Sequence, residues 1–109
     1  MDGIARIDTV ASYFEVWLDP DLFPVPKMKV KVLDRANDFL AVPNLHRWNP
    51  TSGSPECLSG LGDSIQSALE DLLKHYVADA REQRPDSGYA ENDFVWSASK
   101  PGRLLLKHP

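Results

Sequence analysis

The sequence predicts an α+β domain: an antiparallel sheet of about four strands with one long amphipathic helix packed on a face, in the order β-β-β-α-β. Three observations predict it. Between 63 and 84, Ile65, Ala68, Leu69, Leu72, Leu73, Tyr76, Val77 and Ala80 recur at the spacing of one helical face, while Glu70, Asp71, Lys74, Asp79, Arg81 and Glu82 fill the other. Between 27 and 33, Met28, Val30 and Val32 alternate with Lys27, Lys29 and Lys31, the period of a strand with one buried face. After the helix, Phe94-Val95-Trp96 within 93–98 supplies a last strand. An apolar helical stripe needs a surface to cover, and the sheet is that surface.

Taken in order, residues 1–11 carry Ile4, Ile7 and Val10 at helical spacing, but Gly3 and the short length leave the segment open between a short helix and a loosely ordered arm. Residues 12–18 alternate Tyr13, Glu15 and Trp17 against Phe14, Val16 and Leu18, so they read as an extra strand with both faces partly covered. Trp17, like Trp96, is expected in core or sheet packing. Pro20, Pro24 and Pro26 remove amide donors from 19–26 and make it a connector. Asp34-Arg35-Ala36-Asn37-Asp38 is turn chemistry, and the apolar run 39–42 should return as a hairpin under the helix. That arrangement sets Val30, Val32, Leu40 and Val42 against Leu69, Leu72, Leu73, Tyr76 and Val77. From 43 to 55 the chain turns to Asn, His, Arg, Trp, Ser, Thr, Gly and Pro, which reads as a long exposed loop. A short strand is expected at 57–59, before Gly60 and Gly62. Asp63 is expected to cap the helix, with Gln66 reaching back, and Pro85 to end it. Pro101-Gly102 breaks the chain again, and Leu104, Leu105 and Leu106 are expected to cap the core or to meet another chain.

The 109 residues suit a single domain, 1–109. A domain of this size buries roughly 65% of its unfolded surface, enough for a core without staples. Twelve basic against sixteen acidic residues leave a net charge of −4, a balance that favours a basic protein partner over nucleic acid. The single cysteine, Cys57, excludes an internal disulfide, and no apolar run nears the ~20 residues of a membrane span. With no leader at the start, a reducing, cytoplasmic setting is the expectation.

Candidate chemistry is sparse. Cys57 with His46 or His75 could pair a nucleophile with a base, but nothing flanks them to orient an imidazole, and the spacing 46, 57, 75 matches no metal-ligand pattern. No catalytic residue, cofactor or metal is expected. Asp19 with Asp21, and Asp34 with Asp38, stand where turn propensity alone places Asp. The Lys27, Lys29, Lys31 row, with no aromatics interleaved on its face, reads as an edge device against aggregation, not as a phosphate grip. Arg47 and Trp48 are residue types that carry interface energy, and in a proline-bounded loop they are candidate partner contacts. Glu70, Asp71, Asp79 and Glu82 lie off the apolar stripe and are candidates for steering a basic partner.

From Lys27 onward the order of pieces resembles the HicB-like antitoxin family. The residues that carry the resemblance are Met28-Lys29-Val30-Lys31-Val32, Val42-Pro43-Asn44-Leu45, Cys57-Leu58-Ser59, Gly62-Asp63-Ser64, and Ala68-Leu69 with the leucines that follow. The likeness spans 27–98 and leaves 1–26 as an added arm and strand and 99–109 as a tail. Three departures stand out: about ten residues, 46–56, replace the family's tight Pro-Gly turn, the strand at 12–18 precedes what is normally the start, and too few residues follow Pro85 for the C-terminal DNA-binding module that many members carry. The resemblance implies an inhibitor that holds a small basic HicA-type ribonuclease toxin inactive, and it implies a homodimer. From the charge balance and the lack of a long apolar run, neither nucleic acid nor a membrane is the expected partner; a phage or accessory inhibitor or adaptor, or a small RNA-binding domain, is the alternative reading.

Overall fold

The computed structural model describes residues 2–97 and, as backbone alone, Leu104–Leu105. Strands β1 (Thr9–Trp17), β2 (Lys27–Asp34), β3 (Phe39–Pro43) and β6 (Gly60–Gly62) form one antiparallel sheet in the order β1-β2-β3-β6. Strands β4 (Leu45–Asn49), β5 (Ser54–Glu56), β7 (Phe94–Ser97) and β8 (Leu104–Leu105) form a second, in the order β5-β4-β7-β8. Helix α1 (Ile65–Glu82) packs on the first sheet, mainly over β3 and β6, so the α+β class holds. The second sheet was not expected. It arises because the residues anticipated as a loop at 43–55 pair instead, Arg47 with Glu56, Trp48 with Pro55 and Asn49 with Ser54. The hairpin turn closes through Asn49, whose side chain accepts the amides of Thr51 and Ser52, while Gly53 takes a left-handed φ of 70°. The anticipated strand at 57–59 forms three residues later, as β6.

Asn44 is the joint between the sheets. Its amide bonds Lys29 O and its Oδ1 accepts Lys29 N, which ends the first sheet, while its own carbonyl accepts Ser97 N and begins the second. Pro43, with no amide to offer, stands beside this corner.

The core joins both sheets. Val30, Val32, Ala41, Leu45, Ala68 and Leu72 are wholly buried, with Met28, Phe23, Tyr76, Ala80 and Phe94 nearly so. The proline-rich connector 19–26 contributes Phe23, which stacks on Tyr76 at 5.8 Å between centroids and meets Phe94 edge-on at 5.9 Å. The phase of β3 is opposite to the expected one. Val32 faces Ala41 and Val30 faces Pro43, so Ala41 and Pro43 point to the helix and Leu40 and Val42 point away. A one-residue difference in phase moves a strand's whole apolar set to the other face. The row continues from Ala41 to Gly60, and the shrinking side chains let the helix come close. A Cβ on Gly60 would collide with the backbone of Ala68 and Leu72, and one on Gly62 with Ser67 and Ala68.

The helix begins one residue later than Asp63 was expected to place it. Ser64 is the N-cap, with φ −141° and ψ 164°, and its hydroxyl accepts Ser67 N at 3.0 Å while Ser67 Oγ accepts Ser64 N at 3.1 Å. Asp63 instead accepts from Ser67 Oγ, and Gln66 turns to Glu70. The helix stops at Glu82, short of Pro85. Residues 2–8 form no helix, with Ile4 and Ile7 both exposed, and Thr9, Val10 and Ala11 of the segment left open join β1. The role expected of Leu104, Leu105 and Leu106, and the rest of the 99–109 tail, lies outside the described side chains. Among the described residues no helix is long and apolar enough to cross a membrane.

Candidate functional site

The six residues expected to meet a partner are dispersed, and most are engaged within the chain. Arg47 sits in β4, not in a loop, and clasps Asp79 with two bonds, Nε to Oδ2 at 2.7 Å and Nη2 to Oδ1 at 3.1 Å. The hydrogen bonds to Asp79 raise the guanidinium pKa further. Their side chains are only 10% and 20% exposed, and each satisfies the other within the chain. Asp71 accepts the amide of Leu61 at 2.9 Å and so ties β6 to the helix, and Glu70 accepts from Gln66 Nε2 at 3.0 Å. Trp48 is half-buried in β4, and Glu82 remains exposed on the last turn.

His46, Cys57 and His75 occupy three different environments. His46 is buried in β4, Cys57 is exposed beyond β5, and His75 is exposed on the helix, 3.7 Å from Asp71. His46 Nε2 pairs with Ser97 Oγ, whereas Nδ1 has no partner among the described residues, and burial lowers the imidazole's pKa. Among the described residues no three His, Cys, Asp or Glu side chains are placed to share a metal ion. The aspartates do the turn work expected of them. Asp19 Oδ1 accepts Asp21 N, and Asp34 Oδ1 accepts the amide of Ala36, whose φ is 73°. Asp38 holds Arg35 through two 2.8 Å bonds, which lower the carboxyl's pKa.

The most exposed aromatic surface lies where packing was expected. On β1, Tyr13 is 61% and Trp17 68% exposed, on the face turned away from the helix. Register sets Tyr13 beside Lys31, Glu15 beside Lys29 and Trp17 beside Lys27. The lysine row therefore does have aromatics on its face, contributed by the neighbouring strand. Lys27 Nζ bonds Glu15 Oε2 at 3.0 Å and lies 4.9 Å from the Trp17 ring centre. The row at the other end of this face is aliphatic, with Val10, Leu33, Leu40 and Leu61 in register. β1 is also an edge: among the described residues no strand pairs with its outer side. On the helix side of that edge a cavity of about 280 Å³ opens between β1, the connector and α1. The alternation of Tyr13, Glu15 and Trp17 was visible in the sequence. Which of the two faces the helix would cover was not, because that depends on a contact between distant segments.

Comparison with protein-family models, with curated proteins and with solved structures finds no match.

Proposed function

We propose that this chain is a non-catalytic protein-binding domain, an inhibitor of the HicB-like antitoxin kind that neutralises a small basic ribonuclease of the HicA type, as a homodimer in a cytoplasmic setting. The observation that supports it best is the open edge β1 with Tyr13 and Trp17 exposed along it, since unpaired strand edges and exposed aromatics are what protein partners use. The net charge of −4 adds attraction to a basic partner. The test is to titrate a purified HicA-type ribonuclease with the full chain and follow RNA cleavage together with association kinetics. Cleavage should fall stoichiometrically, and association should slow several-fold as salt rises while dissociation changes less. Undiminished cleavage at excess chain overturns the reading. A second reading, a small RNA-binding domain, has an observation of its own: the exposed aromatics Tyr13 and Trp17, beside Lys31 and Lys27 on one sheet face, suit base stacking and phosphate contact. Direct binding of single-stranded RNA that Tyr13→Ala and Trp17→Ala abolish would favour it.

A further inference from the structure

We propose that the groove between β1 and α1 takes an extended peptide segment of the partner by strand addition, with one apolar side chain in the cavity and an acidic group beside Arg81. The proposal rests on the protein-binding reading above and names where and what the domain binds. Hydrogen bonding at the edge comes first. Leu18 donates its amide to Pro26 O at 2.8 Å, and bonded pairs alternate along an antiparallel ladder. Val16 and Phe14 therefore also bond to β2, which leaves Trp17, Glu15 and Tyr13 with amide and carbonyl directed outward. Lys29 agrees with this phase, because both of its backbone groups are bonded to Asn44 on the side away from β1. Three outward residues, at every second position, offer an incoming strand a ladder of main-chain bonds.

Side chains of that incoming strand would alternate. Those opposite Tyr13, Glu15 and Trp17 share the solvent face, and those opposite Phe14 and Val16 point toward the helix. There the helix leaves room. It lies over β3 and β6, so Phe14, Val16 and Leu18 are only half-buried although they face inward. The cavity is lined by Val16, Leu18, Leu22, Leu73 and Val77, with Arg81 and Asp19 among its polar members. Its volume, about 280 Å³, is just below the range of about 300–1,000 Å³ for small-molecule pockets and suits one large apolar side chain. Charge selects the neighbour of that side chain. Asp19 and Arg81 stand in the same lining, and Arg81 takes part in no ion pair among the described residues, so an acidic group placed beside Arg81, away from Asp19, gains a partner.

The experiment uses the full chain and an array of synthetic peptides of about ten residues, with alternating pattern. One apolar position is Leu, Phe or Ala, and the following charged position is Asp or Lys. Binding is read by fluorescence anisotropy and by amide shifts of Tyr13, Glu15 and Trp17. Peptides with Leu or Phe followed by Asp should bind about tenfold tighter than their Ala or Lys counterparts. Glu15→Pro should abolish binding with little change in melting temperature, since proline is tolerated on an edge strand where the amide faces solvent, and Glu15→Gln should retain it. Arg81→Glu, on an exposed helical position, should reverse the Asp-over-Lys preference whatever the proline variant does. Binding indifferent to the apolar position, a preference unmoved by Arg81→Glu, or no peptide bound at all overturns the groove. Inhibition of the ribonuclease that survives Glu15→Pro leaves the proposed function standing without this groove. Peptide binding with no inhibition does the reverse, and single-stranded RNA bound in place of peptide assigns the edge to nucleic acid.

Discussion

The two halves of the helix hold their neighbours by different means. Toward its start, Ala68 and Leu72 meet the first sheet mainly through apolar contact, at a distance set by Gly60, which has no side chain, with the bond from Leu61 N to Asp71 as the polar tie. Toward its end the second sheet and the segment leading to it are tied by polar bonds. Tyr76 Oη donates to Leu45 O at 2.8 Å, Arg47 clasps Asp79, and Tyr89 Oη donates to Ala80 O at 2.7 Å. Burial pushes the Tyr76 phenol up, so it stays a donor at any ordinary pH. Apolar contact supplies most of the stabilisation and tolerates small shifts, whereas these bonds fix how the small second sheet is set against the helix.

Substitutions can break that contrast. Leu72→Ala should be the most damaging, costing ~2–5 kcal/mol through lost transfer energy and the cavity it leaves, with an unchanged urea midpoint showing that the helix is not seated there. Gly60→Ala tests the same contact from the sheet side, because a methyl group must displace helix backbone. About 1–3 kcal/mol and a lower melting temperature are expected, the usual range for overpacking. At the polar end, a double-mutant cycle with Arg47→Ala and Asp79→Ala should give a coupling of about 1–2 kcal/mol, less than for a fully desolvated pair because Asp79 is 20% exposed. A coupling near zero would leave the two ends of the helix alike.

His46 sharpens the comparison by pH. Its folded pKa lies below the ordinary value of 6.5, so below that pH the unfolded chain binds more protons than the folded one. The stability it supports should be complete above about pH 6.5 and should decline as pH falls through the folded value. His46→Gln should flatten that part of the profile in denaturant titrations at several pH values. The smallest effect is expected at the open edge: Trp17→Ala should change stability by no more than about 0.5 kcal/mol, because the ring is 68% exposed. A large loss by thermal melting would mean that Trp17 belongs to the fold and not to a binding surface.

Much of the first sheet was legible along the chain. The stripe from Ile65 to Ala80 and the alternation of Met28, Val30 and Val32 are local periodicities, and burial follows them. Phe39-Leu40-Ala41-Val42 has no polar residue to reveal its phase, so only its pairing with β2 told which pair faced the helix. The β4–β5 hairpin was hidden by its composition, since proline, asparagine and glycine serve hairpin turns and open loops alike.

By itself the sequence determined the fold class, the helix and its buried stripe, and the turns at Asp34 and Asp38, because each depends on residues within a few positions of one another. Tertiary structure alone decided that Arg47 and Asp79, separated by 32 positions, would satisfy each other, and that Tyr13 and Trp17 would be left uncovered. The physical reason is the same for both. A charge or an aromatic ring takes its environment from whichever element packs against it, and the placing of α1 over β3 and β6, away from β1, is a property of the assembled chain and of no segment within it.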